Sequence, residues 1–243
     1  MIPRSRLSVL TAPGAGDLYA AKVLATSAAN LLAYWPFSEG SGVVAGDLSG
    51  NSRDGQYDNG CLLGQPGIGD GRTCPWFDGV NDRVTLYSAS LGSAWSFAEF
   101  SMALWMRMNS AAVWTDSTNR SGISFTAPSS EYFYISRAPQ NNGLTWYLRL
   151  GGVDAATNTY IGGDVGGDWF HLGFTSKSGG NAYRYVNGAE STHKTGVASP
   201  LGGTLSSAYA SGQANTWYGW IAHVAVWDVQ LSAAQMAALA SVS

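Results

Sequence analysis

From about Leu31 to Asp228 this chain carries one strand signal after another, several of them stretches in which apolar residues recur at every second position. Phe100, Met102, Leu104, Met106 and Met108 alternate with Ser101, Ala103, Trp105 and Arg107. Successive side chains of a strand point to opposite faces, so a period of two predicts a long strand with one apolar face. Leu144, Trp146, Leu148 and Leu150 alternate with Thr145, Tyr147 and Arg149 in the same way. Further strands are predicted over Trp169–Thr175 and Tyr183–Asn187, set off by Gly-rich stretches at 162–167 and 178–180. Asn187-Gly188 is a pair that suits a tight hairpin turn, where both central positions take positive φ.

Two segments depart from this period. Asp17 to Ala25 fits a short helix with Asp17 as N-cap and Leu18, Ala21 and Ala25 along one face. Ser232-Ala233-Ala234-Gln235 has the form of a capping box and predicts a terminal helix over about 232–240, with Met236 and Leu239 against a sheet. Aromatic-rich strands lie near both ends, at Leu31–Phe37 and Trp217–Asp228. Such strands are not stable alone, so they are expected to share a sheet or a core. With no internal repeat and no shift in composition, the chain divides into an N-terminal arm and short helix, 1–27, and one domain, 28–243.

Composition narrows the class. A chain of 243 residues can bury one large all-β core. Charged residues are only 12%, aromatics are 12% and there are 31 glycines, which suits many strands joined by tight turns. The net charge of −3 argues against nucleic acid as a partner. No apolar run is long enough for a membrane-spanning helix, and no membrane partner is expected. Pro13, Gly14, Gly16 and Asp17 interrupt the N-terminal region before an apolar stretch of secretory-signal length can form. Ile2, Arg4, Arg6 and Leu7 suit an arm clasped by a neighbouring subunit, the alternative being a segment packed on its own domain.

Several motifs then fall in a characteristic order. They are Tyr34-Trp35-Pro36-Phe37, Asp47-Leu48-Ser49-Gly50-Asn51, Phe77-Asp78-Gly79-Val80-Asn81-Asp82-Arg83-Val84 and Phe100 to Trp105. Trp169-Phe170-His171-Leu172, Tyr185-Val186-Asn187-Gly188 and the closing strand and helix complete the series. Over roughly residues 28–241 the chain resembles the laminin-G-like, concanavalin A-like lectin jelly rolls of bacterial and tailed-phage proteins. The resemblance implies an all-β, two-sheet antiparallel jelly-roll sandwich with a short C-terminal helix. It also implies either secreted carbohydrate binding or a place on a phage particle.

The chemistry points to binding. Glucanases of this fold carry Glu-x-Asp-x-Glu on one strand face, because retaining hydrolysis needs two carboxyl groups only about 5 Å apart. Glu39, Glu99, Glu131 and Glu190 have no carboxylate two residues away, so no catalytic residue is expected. His171 and His223 sit inside strand patterns, as core histidines packed against Trp rather than as general bases. Asp47 and Asn51 lie in an oxygen-rich turn that could hold one structural Ca²⁺, or could bond its own backbone as an Asx-type turn. In calcium-binding relatives the final strand adds a carboxylate; here that position reads Ile221-Ala222-His223-Val224. Cys61 and Cys74 flank the Gly-Pro-Gly loop and are expected as a disulfide, with two free buried thiols the alternative. Candidate glycan contacts are Trp105, Arg107, Trp114, Tyr132, Tyr134, Tyr147 and Arg149. The reading favoured by the sequence is a non-enzymatic component of a tailed-phage particle, a head decoration or tail appendage at the virion surface. Its arm would hold capsid or tail subunits, and its jelly roll would bind cell-surface polysaccharide. The alternative is a free or secreted bacterial carbohydrate-binding module acting outside the cell.

Overall fold

The computed structural model describes residues 15–128, 130–138, 143–159, 167–201, 204–212 and 215–242. The chain begins with helix α1 (Ala15–Ala25) and then runs β1 (Leu31–Trp35), β2 (Val44–Ala45), β3 (Gly55–Asp58), β4 (Leu62–Pro66), β5 (Thr73–Asp78) and β6 (Arg83–Thr85). Next come α2 (Ala89–Ala94), β7 (Glu99–Met108), α3 (Ala111–Thr115), β8 (Arg120–Ala127), β9 (Glu131–Ala138), β10 (Gly143–Leu150) and β11 (Val153–Thr159). The last third holds β12 (Phe170–Lys177), β13 (Asn181–Val186), β14 (Ala189–Thr195), β15 (Ser207–Ala210), β16 (Tyr218–Trp227) and α4 (Ala233–Leu239). The arm residues Ile2, Arg4, Arg6 and Leu7 lie outside the described residues.

The strands form the expected antiparallel sandwich. The first sheet has the order β14-β13-β12-β7-β16-β5-β4, and β1 pairs with β16 beside β5. The second has the order β11-β10-β9-β8-β15-β6-β3-β2. The two aromatic end strands pair antiparallel, Leu31 opposite Trp227 and Trp35 opposite Val224, with one register shift between Leu31 and Ala33. Between the sheets, Phe100, Met102, Leu104, Met106 and Met108 of β7 face Phe133, Ile135, Leu144, Trp146 and Leu148 of the second sheet in one apolar core. Asn187 and Gly188 turn β13 into β14 with φ of 49° and 80°.

A second apolar layer covers the outside of the first sheet. Here α1 lays Tyr19, Ala20 and Val23, and α4 lays Met236 and Leu239, onto Ala103, Trp105, Ala222, Ala225 and Trp227. The buried face of α1 is therefore not the expected one: Leu18 is 55% exposed and Ala21 and Ala25 face solvent. Its start at Ala15 also puts Asp17 inside the helix rather than at its N-cap. Burying Tyr19 instead lets its hydroxyl donate to Leu239 O (2.9 Å) and accept from Trp105 Nε1 (2.7 Å). The capping box of α4 forms as expected, with Ser232 and Gln235 bonding each other's backbone. Gly173 lets α4 sit close, because a Cβ there would stand 2.8 Å from Met236 Sδ.

The disulfide is not formed: Cys61 and Cys74 are free and buried. Cys61 belongs to the core between the sheets, whereas Cys74 belongs to the layer under α1 and α4. The two thiols therefore lie on opposite sides of the first sheet, Cys74 within β5 and Cys61 in the turn before β4. Each donates to a carbonyl instead, Cys61 Sγ to Arg83 O (3.3 Å) and Cys74 Sγ to Pro66 O (3.4 Å).

Candidate functional site

The outward faces of the two sheets differ. The first is covered by helices; the second carries half-buried aromatic and polar side chains. Pairing between neighbouring strands aligns Tyr147 with Tyr134, Tyr134 with Ser124, Ser124 with Tyr209 and Tyr209 with Thr85. A second row aligns Asp154 with Arg149, Arg149 with Tyr132 and Tyr132 with Thr126. Cross-strand neighbours on one face stand close enough for their side chains to interact. Tyr134 and Tyr147 stack with centroids 4.3 Å apart, and Tyr132 lies 5.3 Å from Tyr134.

Asp154 fixes this cluster at one end. It accepts from Tyr132 Oη (2.7 Å) and from Arg149 Nη1 (2.6 Å). Burial and the hydrogen bond to Asp154 raise the Tyr132 pKa, and burial, followed by neighbouring charge, pushes Tyr134 up to about 12. Both phenols stay protonated at neutral pH. At the other end, Arg83 pairs with Asp58 (3.4 Å) and lies 5.7 Å over the Tyr209 ring. The surface therefore offers phenol rings and hydroxyls framed by two Arg–Asp pairs, a combination able to stack on and hydrogen-bond a polar ring. Asp154, Tyr209, Arg83 and Asp58 were not singled out in the sequence. The alternation of β10 marks Arg149, but pairing with Asp154 depends on strand register.

Four expected contacts, Tyr132, Tyr134, Tyr147 and Arg149, are thus brought together. The other three are not. Trp105 is only 7% exposed beneath α1 and is engaged by Tyr19 and His171. Arg107 follows it on the first sheet and stacks over Trp220 at 4.5 Å. Trp114 is 3% exposed and packs edge-on to Phe170 in the core, because α3 folds the polar stretch around it back onto β7. Two polar neighbours did not suffice to keep that indole outside.

Asp47 and Asn51 do share one turn. Asp47 accepts from the backbone N–H groups of Tyr34, Ser49 and Arg53 and from the Ser49 hydroxyl, all at 2.9 Å. Asn51 Nδ2 donates to Leu31 O and Leu32 O (2.9 and 3.0 Å), tying the turn to β1. A cation at Asp47 would compete with these four donors. Among the described residues no group of three or more His, Cys, Asp or Glu has metal-holding geometry.

Each glutamate has protein partners. Glu39 accepts from Gly46 N and Tyr57 Oη, Glu99 from Gln230 N, Glu131 from Gly151 N and Leu201 N, and Glu190 from Tyr185 Oη. His171 is fully buried edge-on to Trp105, while His223 bridges Tyr34 Oη (2.7 Å) and Asp70 Oδ2 (3.1 Å) beneath the α1 layer. Both are packed histidines; His171 lies against a Trp as expected, whereas the rings beside His223 are those of Tyr19 and Tyr34.

A family model, Laminin_G_3, the concanavalin A-like lectin/glucanases superfamily, matches residues 78–237, well over half of the chain. A comparison with curated protein sequences gives no match. Solved structures share the fold at low identity. The botulinum neurotoxin serotype D ligand binding domain in complex with N-acetylneuraminic acid has a TM-score of 0.70 at 12% identity, over 90% of this chain and 52% of that one. Domain 4 of AbnA, a GH43 extracellular arabinanase from Geobacillus stearothermophilus, in complex with arabinotriose, gives 0.64 at 18% identity, over 87% of this chain and 98% of the other. Trypanosoma rangeli sialidase gives 0.65 at 13% identity, over 93% and 37%. The chain thus spans about half of the neurotoxin chain and little more than a third of the sialidase. Nothing in these comparisons supports a component of a phage particle.

Proposed function

Since the chain belongs to the concanavalin A-like lectin/glucanase superfamily, we propose that it is a carbohydrate-binding module that holds a glycan on the outer face of its second sheet without cleaving it. The observation that carries this reading is the cluster of Tyr132, Tyr134 and Tyr147 with the Arg149–Asp154 pair, on the sheet face that the helices leave uncovered. Fold neighbours whose structures contain N-acetylneuraminic acid and arabinotriose support a sugar as the ligand class. Binding without hydrolysis is favoured because all four glutamates bond structural donors, and because Asp154 is held by Arg149 and Tyr132. The role fits the free or secreted module better than the particle component, and it places the protein's action where glycans are displayed outside cells.

A glycan array identifies the ligand, and calorimetry on the best binder tests the site. Tyr134→Ala and Tyr147→Ala are each expected to weaken binding roughly tenfold or more, as truncation of a central aromatic contact does. Trp105→Phe is expected to lower stability and leave affinity unchanged. Wild-type affinity in both tyrosine variants, or an array without any signal, rules the reading out.

A further inference from the structure

On the open face of the second sheet, strand β8 carries small hydroxyl side chains, and the strands on either side of it carry rings. Register puts Tyr134 of β9 and Tyr209 of β15 directly opposite Ser124, one on each side. In the next row Thr126 stands between Tyr132 and Ser207. Residues opposite each other on neighbouring strands share a face, and all six of these side chains are half-buried.

The two facing rings are braced from behind and bare in front. Tyr134 stacks on Tyr147 of β10 with centroids 4.3 Å apart and planes 20° apart. Because that stack runs across neighbouring strands, the Tyr134 ring stands upright with its second face turned over β8. Tyr209 has the Arg83 guanidinium of β6 over one face at 5.7 Å, which leaves the face towards β8 free. The Tyr134 and Tyr209 rings make no contact with each other. Two strand spacings of about 4.8 Å separate them, which leaves room for one six-membered ring in van der Waals contact, at about 4 Å, with each phenol. The hydroxyls of Ser124 and Thr126 on the floor, and of Tyr134 and Tyr209 on the walls, have no hydrogen-bond partner among the described residues.

Resting on the carbohydrate reading above, we propose that this slot over β8 is the sugar subsite, and that it takes a pyranose whose ring hydroxyls are all equatorial, the gluco or xylo configuration. Such a ring turns axial C–H bonds to both of its faces and hydroxyls to its rim. Its faces lie against Tyr134 and Tyr209, while its rim reaches Ser124 and Thr126. An axial hydroxyl, as in galactose or mannose, would press a polar group onto a phenol face that offers it no partner, and that costs affinity.

Saturation-transfer NMR with methyl β-D-glucoside reads the sandwich directly. In this sugar H1, H3 and H5 point to one face and H2 and H4 to the other. On irradiation of the protein's aromatic protons both sets are expected to receive saturation; saturation of one set alone means stacking on a single ring and overturns the slot. Methyl β-D-galactoside, which differs only in its axial hydroxyl, should bind about tenfold more weakly or worse, and equal affinity overturns the slot as well. Tyr209→Ala removes one wall, and Ser124→Phe fills the floor with a side chain that strands accept readily. Each should weaken glucoside binding roughly tenfold or more, as loss of a central contact does, with circular dichroism checking the fold. Unchanged affinity in Tyr209→Ala overturns the slot, whatever the fate of Ser124→Phe. Glycan-array signals confined to sugars without an all-equatorial ring overturn the slot and leave the carbohydrate reading standing, whereas an array without any signal ends both.

Discussion

Acidification should destabilise this protein from about pH 6.5 downward, before most of its carboxylates protonate. His171 is fully buried on the outer face of the first sheet, edge-on to Trp105 at 5.2 Å, and neither ring nitrogen has a partner. Burial drives its pKa from the ordinary 6.5 down to about 3, and that of His193 down to about 4. In the unfolded chain both rings titrate near the ordinary value. Below pH 6.5 the unfolded state therefore binds protons that the folded state refuses, and stability falls as pH falls. One proton of difference is worth about 1.36 kcal/mol per pH unit, so His171 alone contributes a loss of roughly 2.7 kcal/mol by pH 4.5. His193 adds about as much, for roughly 5 kcal/mol together, comparable with the whole stability of many domains. His223, also lowered by burial despite its bond to Asp70, acts in the same direction. Urea unfolding at pH 7.5, 6.5, 5.5 and 4.5 measures the loss. In His171→Leu, which removes one titrating ring, the difference between pH 7.5 and 4.5 should shrink by about half. A midpoint independent of pH, or a His171→Leu variant as acid-sensitive as the wild type, would refute the reasoning.

The remaining predictions concern the free thiols and a buried ion cluster. Burial pushes Cys61 and Cys74 up to about 12. Ellman's reagent at pH 8 should therefore label neither thiol in the folded protein and both after unfolding, and dithiothreitol should leave the melting temperature unchanged; protection of both thiols in the unfolded, unreduced chain would mean that a disulfide had formed. Asp116 bonds the fully buried Arg137 (3.1 Å) and Arg120 (2.7 Å), so Asp116→Ala removes the counter-charge of two guanidinium groups and should cost about 3–5 kcal/mol in denaturant unfolding. A loss below about 1 kcal/mol would show that water compensates both cations.

The strands, the pairing of the two end segments and the capped terminal helix were legible in the sequence because each depends on a local pattern. Alternation in β7 separates Met102 from Ala103 without reference to any other strand. What alternation cannot supply is which sheet a face belongs to. Trp105 and Tyr147 both occupy the polar phase of their strands, yet one lies beneath α1 and the other on the open face. The same gap misled the pairing of Cys61 with Cys74: proximity in sequence says nothing of which side of a sheet each thiol takes.

The asymmetry between the two outer faces links this packing to function. On the first sheet the outward positions of β7 and β16 include Ala103, Trp105, Ala222 and Ala225, small or apolar side chains that two helices can cover closely. On the second sheet the corresponding positions are Ser124, Thr126, Tyr132, Tyr134, Tyr147 and Arg149, whose hydroxyl and charged groups would lose water under a helix without gaining partners. Burial of α1 and α4 is thus favourable on one face and costly on the other. The polar composition that keeps the second face open also gives it the phenol rings and hydrogen-bonding groups that a sugar requires.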